Sequence, residues 1–259
     1  MTVTRTAGVD LAASPRLTAV AVVEWSAGSA TLVELVMPAD DACIHELVDG
    51  VAKIGIDAPF GWPDEFVDFV VAQHRGELPR GCGLDDIERR RRLAYRRSDL
   101  VVVENGWGRP LSVSADQIAH VAFRAAGLIA DLGVADRVNG WAVEAYPAAA
   151  LRRWGLTSRG YKGVANRGRL SELVESLVAG APWLDLGACR ERMAFDDNAF
   201  DAVITALIAR AAMLGRTLQP GSADRDVVAR EGWIHLPDCA IGDLTADPTV
   251  KRGFGDAIA

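Results

Sequence analysis

The chain has 259 residues, of which 50% are hydrophobic and 24% are charged, a composition typical of globular proteins with enough apolar material for a core. Its net charge of −7 argues against a protein that coats nucleic acid, since affinity for phosphate comes largely from basic residues. The charge does not exclude a local basic surface. No segment approaches the ~20 apolar residues of a membrane span, and the N-terminus lacks the layout of a secretory signal. The four cysteines are scattered, so we expect a protein of the reducing cytoplasm without a disulfide scaffold or a zinc site.

The first third of the chain predicts strands. Three stretches rich in Val, Thr and Leu are separated by short turn-type segments, namely TRTAGVDLAA, LTAVAVVEW and SATLVELVM. Short connections of this kind predict an antiparallel meander. Apolar residues at helical spacing in DDACIHELVDGVAK then predict a helix, and KIGIDAPFGWP predicts a fourth strand that stops at Pro59.

The segment from about residue 60 to 140 predicts a helical insertion. It contains a helix that ends at Gly76, an arginine-rich helix in LDDIERRRRLAYRRSD and a third helix in SADQIAHVAFRAAGLIADLG. NGWAVEAYP then predicts a fifth strand. A strand–helix–strand crossover implies parallel pairing, so we expect the fourth and fifth strands to be parallel.

The last third predicts mainly helices. Two are expected near 147–155 and 167–180, and the clearest is DDNAFDAVITALIARAAMLG. EGWIHLP predicts one more strand or an extended segment, and the tail at 238–259 has no strong pattern. We therefore expect a single α/β domain over residues 1–259, with a mixed five-stranded sheet of three antiparallel and then two parallel strands, flanked by helices.

Carboxylates stand at the ends of three predicted strands, in apolar surroundings where a charge is costly to bury without a partner. Asp10 ends the first strand, Asp57 the fourth and Glu144 the fifth. In the last helix, Asp197 and Asp201 continue the apolar stripe that must face the sheet. A solvated helix face would place these two acids on the opposite side.

Each acid also has a structural explanation of its own. Asp57 can be a turn residue, Asp197 can complement the helix dipole, and Glu144 can pair with a buried arginine. Taken together, acids from three strand ends and one core-facing helix favour a metal site, because clustered carboxylates repel one another and a divalent cation relieves that conflict. Oxygen ligands without His or Cys suit Mg²⁺ or Mn²⁺, and such a site suits phosphodiester hydrolysis. The sequence contains no GxSxG, Walker A or GxGxxG motif that would indicate another chemistry.

Seven short motifs, in this order over about residues 6–237, resemble the family called domain of unknown function 429, a group predicted to be RNase H-like nucleases. They are GVDLA, IDAPFGWP, YRRSD, PLSVSADQIA, VEAYPAAALRRWG, DDNAFDA and EGWIHLP. The resemblance implies an RNase H-like sheet with acids from the first strand, the fourth strand and a late helix. It implies that Asp10 bridges two ions, that Asp57 and Asp201 complete the ligands, and that Asp197 assists or replaces Asp201. Glu144 does not fall on the commonest superfamily positions but is kept as a catalytic candidate.

The predicted catalytic residues are thus Asp10, Asp57, Glu144 and Asp201, and the predicted ligands of Mg²⁺ or Mn²⁺ are Asp10, Asp57, Asp197 and Asp201. The run ERRRRLAYRRSD indicates either a phosphate-binding face or a solvated helix whose arginines pair with Asp85, Asp86 and Glu88. In the first case Arg91, Arg92 and Arg97 bind the substrate. The expected partner is nucleic acid, DNA or RNA being undetermined, and the sequence leaves the oligomeric state open, a dimer included.

Two alternatives to a nuclease remain at this stage. Actin-like or sugar-kinase-like ATPases also open with a strand aspartate, but they usually duplicate the domain and carry glycine-rich phosphate loops, and this sequence shows neither. A binding or regulatory module that lost catalysis would differ from a nuclease because it need not bind Mg²⁺ or Mn²⁺ at the acids.

Overall fold

The computed structural model of the protein describes residues 3–114 and 118–247. The predicted tail at 238–259 is therefore described only as far as residue 247, and this part contains a short 3-10 helix, Ile241–Thr245. The rest of the tail lies outside the described residues.

A mixed sheet forms the centre of the fold. Its seven strands lie in the order β6-β3-β2-β1-β4-β5-β7. β1, β2 and β3 pair antiparallel, whereas β4 is parallel to β1 and β5 is parallel to β4. The strands are β1 (Thr4–Asp10), β2 (Ala19–Ser26), β3 (Ser29–Val36), β4 (Lys53–Ile56), β5 (Ala142–Ala145), β6 (Leu184–Asp185) and β7 (Ile234–His235).

The α/β class, the mixed sheet and the directions of the first five strands are as predicted, but the predicted number of strands is wrong. β6 adds to β3 at one edge of the sheet, and β7 adds to β5 at the other. Each has only two residues, which is too short for an alternating pattern to appear in the sequence. The segment EGWIHLP, expected as a strand or an extension, supplies β7.

Helices cover both faces of this sheet. No helix among the described residues is long and apolar enough to cross a membrane. The α-helices are α1 (Asp41–Val48), α2 (Asp64–Arg75), α3 (Ile87–Ala94), α4 (Arg97–Glu104), α5 (Ala119–Asp131), α6 (Pro147–Arg153), α7 (Arg167–Gly180), α8 (Cys189–Phe195), α9 (Asp197–Met213) and α10 (Arg225–Glu231).

The arginine-rich stretch is two helices rather than the single helix that its composition predicts. α3 ends at Ala94 and α4 begins at Arg97, with Tyr95 and Arg96 in extended conformation between them. The break turns the Arg96 side chain into the interior, where it is buried. The reason is electrostatic, because buried carboxylates bind this guanidinium, as described below.

The strand β2 is buried on both faces, which explains its nearly unbroken apolar sequence. Ala21 and Val23 belong to a core that includes residues of α7 and α9. Val20 and Val22 belong to a second core with residues of α1 and α5. The sheet is therefore a central layer between two helical layers, and α9 lies directly on β1, β2 and β4.

Candidate metal centre

The pairing of β1 with β4 brings the first two aspartates together. Val9 is the register partner of Ile56 in this parallel pair, so the residues that follow them, Asp10 and Asp57, emerge side by side at the carboxyl ends of the strands. The backbone N–H of Asp57 donates a hydrogen bond to the Val9 carbonyl at 2.9 Å. This bond extends the ladder by one residue and fixes the direction in which Asp57 leaves the sheet.

The third aspartate comes from α9, which approaches the sheet unusually closely at two glycines. A Cβ at Gly8 would lie 2.2 Å from backbone atoms of Ala202 and Ala206, and a Cβ at Gly55 would lie 2.6 Å from the Thr205 carbonyl oxygen. Any side chain at either position would push the helix away. The glycines thus set the depth at which Asp201, in the second turn of α9, meets the strand ends.

The carboxylates of Asp10, Asp57 and Asp201 form one group, here called the aspartate cluster. One oxygen from each lies within 4.8 Å of the others. Asp10 and Asp201 are buried, while Asp57 is partly exposed. The structure therefore brings together three of the four acids that the sequence predicts as metal ligands.

Burial and mutual repulsion shift the titration of the cluster. Burial raises the pKa of Asp10 well above its ordinary value, and the charges of Asp201 and Asp57 raise it further. Burial raises the pKa of Asp57 to about 7, against the opposing effect of Lys162. Burial also raises the pKa of Asp201, although Lys162 and Tyr161 act in the opposite direction. The lowering effect of Lys162 therefore does not offset burial and mutual repulsion in the cluster.

A short segment between α6 and α7, residues 161–163, lies over the acids of α9. The buried Tyr161 donates its hydroxyl hydrogen to Asp201 Oδ1 at 2.9 Å, and Lys162 Nζ lies 2.5 Å from Asp201 Oδ2. The carboxylates of Asp201, Asp57 and Asp10 raise the pKa of Lys162 even though burial acts to lower it, so this lysine is charged. It supplies one positive charge against three carboxylates.

Asp197, also predicted as a metal ligand, lies one turn before Asp201 but is not one of the three clustered acids. Its Oδ1 accepts a hydrogen bond from the backbone N–H of Gly163 at 3.1 Å. Its charge raises the pKa of both Asp10 and Asp201, which places it at the margin of the cluster. The neighbouring Asp196 caps α9, with its carboxylate accepting from the N–H groups of Asn198 and Ala199.

Glu144 lies in a different group, here called the arginine network, which consists of Arg96, Asp99, Glu144 and Glu231. Arg96 donates to both oxygens of Glu144, at 2.6 and 2.7 Å, and to both oxygens of Asp99, at 2.9 and 3.1 Å. It also donates to the Glu231 carbonyl at 3.2 Å. Thus all five guanidinium N–H groups donate hydrogen bonds. Glu144 therefore has the buried arginine partner that was the structural alternative to a catalytic role.

The arginine network also holds the segment that follows Asp57. Glu144 Oε2 accepts a hydrogen bond from the Phe60 N–H at 3.0 Å. The Glu231 carboxylate accepts from the backbone N–H groups of Asp64, at 2.9 Å, and Arg97, at 2.7 Å. Burial acts to lower the pKa of Arg96, but the charges of Asp99 and Glu144 raise it instead. The network therefore contains a permanent charge with a complete set of partners.

The predicted substrate-binding arginines each have an acidic partner within the chain. Arg91 pairs with Glu88 at 3.8 Å, and Arg92 pairs with Glu65 at 3.1 Å. Arg97 pairs with Asp224 at 3.1 Å and with Glu104 at 3.4 Å. Arg91 and Arg92 are about half exposed, so their pairs are weak and open to exchange.

Tyr161, Lys162 and the role of Arg96 were missed by the reasoning from sequence. A signal for Lys162 exists, because lysine stands only at positions 53, 162 and 251 of this arginine-rich chain. Lys162 lies in the glycine-flanked stretch RGYKG, which has no helical or strand periodicity. For Arg96, the motif YRRSD pointed to the right segment but not to the buried one of its two arginines.

The donor set of the aspartate cluster fits a hard divalent cation. Its ligand atoms are carboxylate oxygens, which suit Mg²⁺ and Mn²⁺. Asp201 Oδ2 is buried, and its close partner is the Lys162 ammonium group at 2.5 Å. A buried carboxylate oxygen is costly without a cationic partner, and a divalent ion is a cation that suits this set of oxygen ligands.

The comparisons with known proteins give a family but no function. A family model described as protein of unknown function (DUF429) matches residues 8–225. The matched range contains the whole aspartate cluster and the 161–163 segment. Searches of the curated proteins and of the solved structures gave no match.

Proposed function

The chain belongs to the DUF429 family, and we propose that it is a divalent-metal-dependent hydrolase that cleaves phosphodiester bonds in nucleic acid. One observation carries this proposal: three aspartates from two strand ends and one helix bring their oxygens within 4.8 Å of one another. A fold gains nothing in stability from burying like charges together, so the cluster requires a functional explanation.

The topology supports an RNase H-like origin for this activity. The five central strands lie in the order β3-β2-β1-β4-β5, with three antiparallel strands followed by two parallel ones. One clustered acid ends β1, one follows β4 and one lies on a late helix, as the resemblance to RNase H-like nucleases implies. We propose that β6 and β7 are additions to the edges of such a sheet.

The residues have distinct proposed roles. Asp10, Asp57 and Asp201 hold Mg²⁺ or Mn²⁺, and Asp197, whose charge acts on Asp10 and Asp201, assists them. A divalent ion at this position supplies Lewis acidity toward water and the phosphoryl group. Glu144, bound on both oxygens by Arg96, acts as a positioning residue that fixes the segment after Asp57 through the Phe60 N–H.

Substrate binding is proposed to involve the exposed arginines. Arg91, Arg92 and Arg97 pair with surface acids, and exposed pairs of this kind contribute little stability, so phosphate groups can replace the acids as partners. The four cysteines are free thiols, which supports the proposal of a reducing cytoplasmic location.

The test combines metal binding with catalysis. Mn²⁺ is titrated into the metal-free protein by calorimetry, and cleavage is measured on single- and double-stranded DNA and RNA. We expect Asp10→Asn to remain folded, to lose Mn²⁺ binding, and to cleave more than about 100-fold more slowly, because the effect exceeds that of changing an outer-shell partner. Asp68→Asn, which removes an exposed charge on α2, is the matched control and should behave as wild type.

Three results would contradict the proposal in different ways. Absence of Mn²⁺ and Mg²⁺ binding to the wild type would remove the metal site. Full activity in folded Asp10→Asn would remove Asp10 from the ligands. Metal binding without cleavage of any of the nucleic acids would favour the binding module over the nuclease.

A further inference from the structure

The 161–163 segment contacts the acids of α9 with three consecutive residues. Tyr161 donates to one oxygen of Asp201, Lys162 approaches the other, and Gly163 donates its N–H to Asp197. Both oxygens of the deepest aspartate in the cluster therefore have a contact from this segment. One of these oxygens, Asp201 Oδ2, must be freed before it can serve as a metal ligand.

The Lys162 ammonium group places a cation next to the aspartate cluster. It lies 2.5 Å from the buried Asp201 Oδ2, and its charge also acts on Asp10 and Asp57. The Lys162 side chain is 55% exposed, so its flexible stem can withdraw into solvent. Tyr161, by contrast, is buried against Phe200 and anchors the segment when the lysine leaves.

We infer that Lys162 is an internal cation that holds the aspartate cluster in the metal-free protein and is displaced when the divalent ion binds. The inference rests on the proposed metal-dependent function, and it describes the site before the metal ion binds. Metal binding is then an exchange of one cation for another. Because the exchange breaks the ion pair between Lys162 and Asp201, the affinity of the site for metal is lower than it would be without the lysine.

The choice of lysine agrees with this role. An arginine at this position would offer a rigid fork to the carboxylate, whereas lysine offers a compact charge on a flexible stem. Elsewhere the chain uses arginine almost throughout, and among the described residues only Lys53 and Lys162 are lysines. A displaceable cation is thus placed at the acidic cluster in a chain that otherwise avoids lysine.

The first experiment compares Mn²⁺ affinity by calorimetry in three folded proteins. Lys162→Met removes the competing charge and keeps the length of the side chain, so we expect Mn²⁺ to bind about tenfold more tightly or better than to wild type, because a charge a few ångströms away has a large effect at such a site. Arg159→Gln is the matched control: it removes one charge from the same loop, and Arg159 has no ion-pair partner among the described residues. Its Mn²⁺ affinity should stay within about twofold of wild type, because its exposed charge is screened by solvent.

The second experiment uses the unaltered protein, so it does not depend on whether a variant folds. An amine-reactive acetylating reagent is applied with and without Mn²⁺, and the sites are resolved by mass spectrometry. We expect Lys162 to be modified severalfold faster with Mn²⁺, since its amine leaves Asp201. Lys53, which donates to the Gly140 carbonyl at 2.8 Å, is the internal reference and should not change.

The outcomes separate this inference from the proposed function. If wild type binds Mn²⁺ but Lys162→Met binds it equally or more weakly, or if Mn²⁺ slows or leaves unchanged the modification of Lys162, the displacement is wrong and the metal site stands. If only Lys162→Met binds Mn²⁺, the lysine blocks the site in the wild type instead of being displaced from it, and both the displacement and the proposed metal-dependent function fail. If neither protein binds metal, the proposed function fails and this inference fails with it.

Discussion

The aspartate cluster and the arginine network are neighbours on the parallel strands β4 and β5. Ile56 and Glu144 are register partners, so Asp57 of the cluster and Glu144 of the network lie one residue apart in the ladder. Both groups bury carboxylates, but they balance the charge differently. In the network Arg96 binds both oxygens of two acids. In the cluster Lys162 closely contacts one acid, Asp201, of the three.

The difference separates a structural group from a candidate functional one. A buried arginine with all its donors used holds its partners in one geometry. A cluster with excess negative charge and one displaceable cation stays unbalanced until protons or another cation bind. Burial of acids alone does not identify a site, and the number and geometry of the compensating cations must be considered as well.

The motifs that carry the family resemblance fall in both regions. GVDLA and DDNAFDA supply Asp10 and Asp201 of the cluster, and YRRSD and VEAYP supply Arg96 and Glu144 of the network. Both groups meet at the segment after Asp57, where the Phe60 N–H binds Glu144. A motif can therefore mark a residue that positions the site as readily as one that belongs to it.

Replacing Arg96 is expected to have the largest effect on stability. Arg96→Met leaves Asp99 and Glu144 buried without a cation, and breaking a buried pair in this way typically costs about 3–5 kcal/mol. The free energy of unfolding is measured by urea denaturation. If the network is structural, the variant that remains folded at low temperature should still bind Mn²⁺.

Arg97→Met is the matched control, because Arg97 is the next residue but makes half-exposed pairs with Asp224 and Glu104. We expect it to lose less than about 1 kcal/mol. Equal losses for the two variants would show that the network is no different from a surface pair. A selective loss of Mn²⁺ binding in folded Arg96→Met would instead show that metal binding depends on the arginine network.

The cluster was predictable from sequence because two regular rules determine it. Asp10 and Asp57 end adjacent parallel strands, and Asp201 lies on the helix face that continues the apolar stripe of α9. A buried arginine partner for Glu144 was one of the predicted alternatives, but its identity was not predictable. It depends on a break between two helices at Tyr95 and Arg96 that a run of helix-forming arginines conceals. Lys162 was missed for a similar reason, since it lies in an irregular segment whose position depends on tertiary contacts.

The edge strands β6 and β7 illustrate the same limit. Each pairs through only two residues, so each is defined by the neighbouring strand more than by its own sequence. The central strands, by contrast, carry enough buried β-branched and small residues to be predicted from their own sequences. Local periodicity thus predicted the frame of the sheet and the acids at its strand ends, and tertiary pairing determined the rest.

Asp57→Asn should have an intermediate effect that depends on pH. Burial raises the pKa of Asp57 to about 7 in the folded protein, against about 3.9 in an unfolded chain. Between these values the folded state binds more protons, so the contribution of Asp57 to stability falls as pH rises. Asparagine does not titrate, so without metal we expect the variant to exceed wild type in Tm by about 5 °C at pH 8 and by much less at pH 5.

His235 provides a check on the sign of this effect. Burial lowers its pKa to about 4, so its contribution to stability is lost as pH falls below about 6.5, opposite to Asp57. It is present in both proteins and cancels in the difference between their Tm values. A Tm difference that stays constant from pH 5 to 8 would mean that Asp57 is an ordinary carboxylate. At pH 8, Mn²⁺ should raise the Tm of wild type more than that of Asp57→Asn.

Replacing the exposed arginines should have the smallest effect on stability, because their ion pairs lie in solvent and not in the interior. Arg91 and Arg92 form half-exposed pairs with Glu88 and Glu65, so the double variant with Gln at both positions should lose only a few tenths of a kcal/mol per pair. Their proposed role lies in binding. For each arginine that binds a phosphate, its replacement should flatten the dependence of log affinity on log salt by nearly one unit, with equal weakening across nucleic-acid sequences. Binding curves at several salt concentrations measure both effects, and unchanged curves would restrict these arginines to their glutamate partners. A fall of several kcal/mol in the free energy of unfolding would contradict the assignment of these pairs to the surface. The double variant therefore also tests whether exposure to solvent, rather than the number of charges, explains why these arginines differ from Arg96.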